Sequence, residues 1–155
     1  MKPETKELII EKADQSYLEW IVQCQVDMAL ETENLKLNYD TVVQGVSYIF
    51  NNPDRGFYLL SKISAEQPIG ILLILKEWSD WRNGDIWWIH SVFVKAQYRR
   101  KKIFSKMFNF LEKLASSNQV RGLRLYVDKS NHKAFSVYKQ LGMTNKHYEL
   151  FEKLF

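Results

Sequence analysis

The chain predicts a mixed α/β fold: a mostly antiparallel sheet with one central parallel strand pair and helices on both faces. Three stretches carry this expectation. Residues 86–94, IWWIHSVFV, form a β-branched and aromatic run of the length of a buried strand. From residue 103 the apolar side chains fall at Ile103, Met107, Phe110, Leu111 and Leu114, which is the spacing of an amphipathic helix. Gly122 then opens residues 123–127, alternating Leu, Arg, Leu, Tyr, Val in the manner of a strand. Strand, helix and strand in that order imply a right-handed crossover between two parallel strands.

The remaining elements follow in chain order. Residues 8–11 suit a short first strand. Asp14 is placed to cap a helix with Leu18, Ile21, Val22, Val26 and Ala29 on one face. Polar residues 31–38 interrupt it, and Asp40 is placed to cap a second helix bearing Val43, Val46, Ile49 and Phe50. Asn51-Asn52-Pro53 stops that helix. Residues 57–63 and 69–76 read as strands joined by a turn at 64–68, and Asn83-Gly84 marks the turn before the central strand. Asn131 caps a last helix with Ala134, Val137, Tyr138 and Leu141, and Gly142 closes it. Residues 146–155 have strand-like composition. No repeat or linker is present, so 1–155 is expected to form a single domain.

Composition excludes several functions. Of 155 residues, 46% are hydrophobic and 26% charged, as in ordinary globular chains. No apolar run approaches the ~20 residues of a membrane span, and the first ten residues show no signal-peptide core. One cysteine, Cys24, excludes an internal disulfide and a cysteine-based zinc site, and no metal site is expected. It suits a reducing compartment, so a cytoplasmic location is expected. A net charge of +4 is too small to argue for nucleic acid.

The charge that stands out is local. Residues 95–102 hold five of the 22 Lys and Arg residues, between a strand and a helix N-terminus. The first helical turn has unpaired N–H groups and a positive dipole end, so this arrangement suits an anion. The plain alternative is a solvated basic loop.

Two motifs resemble those of the GCN5-related N-acetyltransferases, and the resemblance covers nearly the whole chain. The first is Val92-Phe93-Val94 followed by Tyr98-Arg99-Arg100-Lys101-Lys102-Ile103-Phe104. The family ends its fourth strand with such a pair of valines and then cradles the acetyl-CoA pyrophosphate in a Gly-x-Gly loop. The second is Asn131, Ala134, Tyr138, Gly142 and Met143, which match the family's Asn-x-x-Ala-x-x-x-Tyr-x-x-x-Gly pattern with an apolar residue after it. One departure is evident: Lys102 and Phe104 stand where the family has glycines, which allow close backbone approach and positive φ. Binding is expected to survive, with Lys102 bringing a cation to the pyrophosphate and Phe104 pointing into the core.

The resemblance implies acetyl transfer from acetyl-CoA, as cosubstrate, to an amine on a small molecule or peptide, by direct attack in a ternary complex. It places Val92, Phe93, Val94, Arg99, Arg100, Lys101, Lys102, Ile103, Phe104, Ser105 and Asn131 at the cofactor. Tyr138 would be general acid, protonating the departing thiolate, against the reading of a core tyrosine. His90 lies where some members have a proton-relaying glutamate; a core histidine hydrogen-bonded across the sheet is the alternative that its apolar strand favours. Glu31 and Glu33, with Glu77 and Asp80, are candidates for holding a cationic acceptor. Trp78 and Trp81 are candidates for an acceptor wall or a homodimer interface. A different class of function stays open: a non-catalytic module of the same fold that binds CoA or uses the basic patch.

Overall fold

A computed structural model describes residues 7–64 and 67–155. The elements are β1 (Leu8–Lys12), α1 (Leu18–Glu33), α2 (Tyr39–Asn51), β2 (Gly56–Ile63), β3 (Gln67–Ser79), β4 (Gly84–Val94), α3 (Ile103–Ser117), β5 (Gly122–Leu125) and α4 (His132–Gln140). The strands form one sheet in the order β1-β2-β3-β4-β5. All neighbours are antiparallel except β4 and β5, which run parallel from Ile86 opposite Gly122 to Ile89 opposite Leu125.

Each sheet face carries its own apolar layer, because side chains alternate along a strand. Leu59, Leu72, Ile74, Trp87 and Ile89 pack with Met107, Phe108 and Leu111 of α3. On the other face Tyr58, Leu60, Ile71 and Phe93 pack with Ile21, Val22 and Cys24 of α1 and Val46 of α2. Leu59, Ile71, Leu72, Ile74, Met107 and Leu111 are wholly inaccessible to solvent, so the sheet is held firmly from both sides.

A bulge in β4 positions the site. Ile71 faces Phe93 and Leu73 faces His90, so Ser91 and Val92 together oppose Leu72 alone. Ser91 takes φ 50, in the left-handed region. Before the bulge Trp87 and Ile89 point to α3; after it Val92 and Val94 do, while Phe93 points to α1. Pairing with β5 ends at Ile89. Residues 90–94 therefore border a slot where β4 has parted from its parallel neighbour.

Several boundaries differ from expectation. Asp14 caps a short 3-10 turn, Gln15–Tyr17, that leads into α1; its carboxylate accepts from the Ser16 N–H at 2.8 Å. Helix α1 runs on through Glu31 and Glu33, and the break falls at Asn34, whose φ of 51 ends it. Asn38 caps α2, accepting from the Thr41 N–H at 2.9 Å, and Asp40 sits two residues further on, in the first turn, beside the positive end of the helix. The turn expected at 64–68 is replaced from Gln67 onward by β3, and residues 65 and 66 lie outside the described residues. β5 stops at Leu125, short of residue 127, because β4 has turned away. Residues 144–155 form no strand: β5 is the last strand of the sheet among the described residues, and nothing there pairs with it.

Candidate active site

The loop after β4 is anchored at both ends. The Lys95 N–H donates to the Ile69 carbonyl at 2.8 Å, which ties the loop to β3, and a 3-10 turn, Ala96–Tyr98, follows. Arg100 and Lys102 then adopt φ 62 and 59. Lys102 thus holds the left-handed conformation for which a glycine is the usual residue, at a cost of roughly 1 kcal/mol or more for a side chain with a Cβ. As N-cap of α3 it makes no side-chain capping bond. The first intrahelical bond runs from the Lys106 N–H to the Lys102 carbonyl, so the amides of Ile103, Phe104 and Ser105 have no helical acceptor. Left-handed residues alternating along such a loop turn successive N–H groups into one concavity, which suits an anion.

The loop cations divide into two kinds. Arg99 is committed inward: its Nε donates to the Val94 carbonyl at 2.8 Å, and its two terminal nitrogens both engage the Glu31 carboxylate, one at 3.0 Å. Its guanidinium also lies 5.7 Å from the centre of the Phe93 ring. The Arg99 hydrogen bonds hold the Glu31 carboxyl below its ordinary range. Glu31, expected on a connecting segment and turned to the acceptor, instead straps α1 to the loop. Arg100 and Lys102 form no ion pair among the described residues, and Lys101 Nζ lies 5.5 Å from the Tyr98 ring centre. A cavity of about 210 Å³ lies beside the strap, lined by Met28, Thr32, Val92 and Val94 among others.

Tyr138 stands on α4, whose start is fixed by Asn131: the Asn131 Oδ1 accepts from the Ala134 N–H at 3.1 Å. Asn131 is thus a cap in this structure. The Tyr138 ring meets Phe104 edge-on with centres 5.7 Å apart, and Phe104 itself packs on the α3 core. No described residue hydrogen-bonds the Tyr138 hydroxyl. Burial pushes its pKa above the ordinary phenol value, so the hydroxyl stays protonated at neutral pH.

His90 points to the opposite sheet face, half-buried. Trp88 lies 6.2 Å from it and Tyr126 meets it edge-on at 5.7 Å, while Trp88 and Tyr126 are 4.6 Å apart. No hydrogen bond crosses the sheet from His90 among the described residues. Burial pulls its pKa below 6.5, which keeps the imidazole neutral and able to accept a proton. Beyond the ring cluster, Glu77 Oε2 accepts from Trp88 Nε1 at 3.2 Å and from Arg124 at 3.1 Å.

The structure does not bring every expected residue together. His90 and Tyr138 lie on opposite faces and share no ring contact; the slot beside residues 90–94 separates them. Glu33 ends α1, exposed and without an ion pair among the described residues. Trp78, Trp81 and Asp80 border a groove of about 1020 Å³ that also reaches Trp88, Tyr126 and Tyr138. Trp88, Arg124 and Tyr126 were absent from the sequence-based site. The alternation of residues 123–127 places Arg124 and Tyr126 on one face, and that signal was sufficient to find them. Cys24, the only cysteine, is buried and its thiol is pushed up to about 12, so it is no nucleophile. No metal-binding cluster occurs, and no helix is long and apolar enough to cross a membrane, among the described residues.

The site is thus a parted strand pair that runs into a loop whose free helix amides suit an anion. The chain belongs to the acetyltransferase (GNAT) family, whose model matches residues 15–143. It is similar over 96% of its length, at 32% identity and a TM-score of 0.88, to a crystal structure described as that of "a possible acetyltransferase from Clostridium difficile 630", of which it covers 97%. Two more distant structures share the fold. One is ribosomal-protein-alanine N-acetyltransferase from Brucella melitensis biovar Abortus 2308, at 10% identity and TM-score 0.78, over 96% of this chain and 99% of that one. The other is aminoglycoside N-acetyltransferase AAC(6')-Iy in complex with CoA, at 12% identity and TM-score 0.77, over 99% of both chains. No curated protein matches the chain.

The environment of His90 yields a pH dependence. The folded state favours the neutral ring, whereas the unfolded chain takes up a proton near pH 6.5. Stability from this group is complete above about pH 6.5 and is lost as pH falls through that value toward the lower folded pKa. His90→Phe keeps a ring between Trp88 and Tyr126 and should flatten the fall in melting temperature between about pH 7 and 5. An unchanged slope would show that the ring titrates freely when folded.

Proposed function

We propose that the protein transfers an acetyl group from acetyl-CoA to an amine by direct attack in a ternary complex. The observation that carries this is the slot beside residues 90–94, which runs into a loop with two left-handed residues and an uncapped helix. The pyrophosphate of CoA suits the amides of residues 102–105 with the Arg100, Lys101 and Lys102 side chains around them. The pantetheine arm suits the edge of β4 at Val92, Phe93 and Val94, where main-chain groups face no β5 partner. Arg99 supports the loop from behind through Glu31.

The chemistry needs no covalent intermediate, in keeping with the inert Cys24. The acceptor nitrogen attacks the thioester carbonyl carbon, a C–N bond forms, and the C–S bond breaks. Tyr138, protonated and without a partner among the described residues, gives its proton to the departing sulfur. The proton shed by the attacking nitrogen goes to neutral His90 directly or through water. Trp88 and Tyr126 wall the acceptor side. Glu33 and Trp78 remain candidates at its outer rim, whereas the Glu31 carboxylate is engaged with Arg99. A cytoplasmic location accords with the single reduced cysteine.

Two substitutions test this reading. Lys102→Gly removes a cation but relieves the left-handed strain and opens the cradle, so CoA affinity measured by calorimetry should hold or tighten. A large loss would make the lysine a phosphate ligand in its own right. Tyr138→Phe retains the ring and its packing on Phe104 and removes only the hydroxyl. With an accepted amine, kcat should fall by about 10²–10⁴-fold while CoA affinity changes little. Near-native kcat with chemistry rate-limiting would return Tyr138 to a packing role. CoA binding without thiol release across a broad amine panel would instead favour a non-catalytic binding module.

A further inference from the structure

The aromatic wall of the acceptor side contains a cation that the proposed reaction does not use. Trp88 and Arg124 are register partners on the parallel pair, so their side chains share a sheet face. His90 and Tyr126, each two residues further along the chain, lie on that face and meet edge-on. The Arg124 guanidinium is flanked by the Trp88 ring at 5.8 Å and the Tyr148 ring at 5.6 Å. One terminal nitrogen donates to Glu77 Oε2 at 3.1 Å, and the same oxygen accepts from Trp88 Nε1. The Arg124 side chain still keeps 33% of its surface exposed and borders the groove of about 1020 Å³.

A guanidinium carries five N–H donors. One of those on Arg124 is engaged, and the others have no partner among the described residues. The two rings and Glu77 hold the group in place while leaving donors free beside the groove, and a planar fork held in this way suits a carboxylate. Glu77, a sequence-based candidate for a cationic acceptor, is a poor seat for one. Its Oε2 already takes two donors, and a second cation there would meet the Arg124 guanidinium.

We propose that the acceptor is an amino acid, whose carboxylate docks on Arg124 and whose amine attacks the thioester beside His90. This rests on the acetyl-transfer reading of the same cleft. Two residues of strand rise separate the levels of Arg124 and His90 by roughly 7 Å, so one small molecule spans both. Trp88 and Tyr126, with ring centres 4.6 Å apart, lie between and offer an apolar floor for its carbon skeleton. The C–N bond forms and the C–S bond breaks as before, the amine's proton goes to His90, and the products are an N-acetylamino acid and the free CoA thiol.

The test compares thiol release from acetyl-CoA with a panel of free amino acids and with their primary amides. The amide keeps the amine and the side chain and removes only the negative charge. Its amine is also the less basic, so a preference for the acid does not arise from protonation. For the best acid, kcat/KM should exceed that of its amide by about 10–100-fold, the worth of charge-assisted hydrogen bonds. Arg124→Gln should raise KM for the acid and bring it to the level of the amide, with parental CoA affinity as the sign of an intact fold. Arg124→Lys keeps the charge, loses the fork, and should fall between the two. Equal use of acid and amide by the parent, or an acid preference that survives in Arg124→Gln, would overturn the proposal. Calorimetric titration of the same acids into the protein–CoA complex separates this site from acetyl transfer itself. Arg124-dependent binding without thiol release would count against transfer and still support the carboxylate site. No binding of any acid, with CoA bound, would overturn the site whether or not other amines are acetylated.

Discussion

The bulge at Ser91 and Val92 is the constraint on which the site depends. Without it, β4 would continue beside β5 with Trp87, Ile89 and then Ser91 facing α3. The extra residue reverses the alternation, sends Val92 and Val94 toward α3, and ends the ladder to β5 at Ile89. A parallel pair that parts in this way leaves main-chain groups of β4 exposed in the middle of a sheet, where they would otherwise be paired. The left-handed Ser91 is a local cost of roughly 1 kcal/mol or more, borne because β3 and the two apolar layers hold the strand on either side. The slot is therefore a property of the rigid part of the molecule.

What the slot leads to is set by a second strained segment. Arg100 and Lys102 hold left-handed conformations without glycine, and the ordering of that loop comes from outside it. Arg99 supplies it: one side chain bonds the end of β4 through the Val94 carbonyl and the end of α1 through Glu31. The residue whose charge looks most apt for phosphate is a strut, and the charge facing outward belongs to its neighbours. The pair is exposed enough that its Coulomb energy is modest; its importance lies in geometry, because a fork with two carboxylate bonds and a carbonyl bond admits few orientations.

Much of this was legible in the sequence. Strands with apolar alternation and helices with a clear apolar stripe came out in the right order, because burial on one face writes a period into the chain. The Asn131 cap and the helix face that carries Tyr138 followed from spacing, whereas Tyr138 as a site residue came from the family resemblance. Three things were not legible. The bulge leaves no mark, since Ser91 is a residue of no special backbone preference. The Glu31–Arg99 strap joins residues 68 positions apart, and no local pattern encodes such a pairing. Asn38 and Asp40 are both competent caps two residues apart, so composition could not choose between them. The failure at residues 146–155 is of another kind: their composition is that of a strand, but a strand needs ladder bonds to a neighbour, and the segment makes none with β5 although Tyr148 rests on Arg124.

The loop and the N-terminus of α3 are the proposed seat of the pyrophosphate. Calorimetric titration with CoA, dephospho-CoA and pantetheine tests this directly, since the three ligands share the arm that would lie along β4 and only the first two carry the pyrophosphate. CoA and dephospho-CoA should bind with similar affinity, weakened by salt, and pantetheine should bind at least about a hundredfold more weakly, as loss of several charge-assisted hydrogen bonds requires. Pantetheine binding as tightly as CoA would contradict the account.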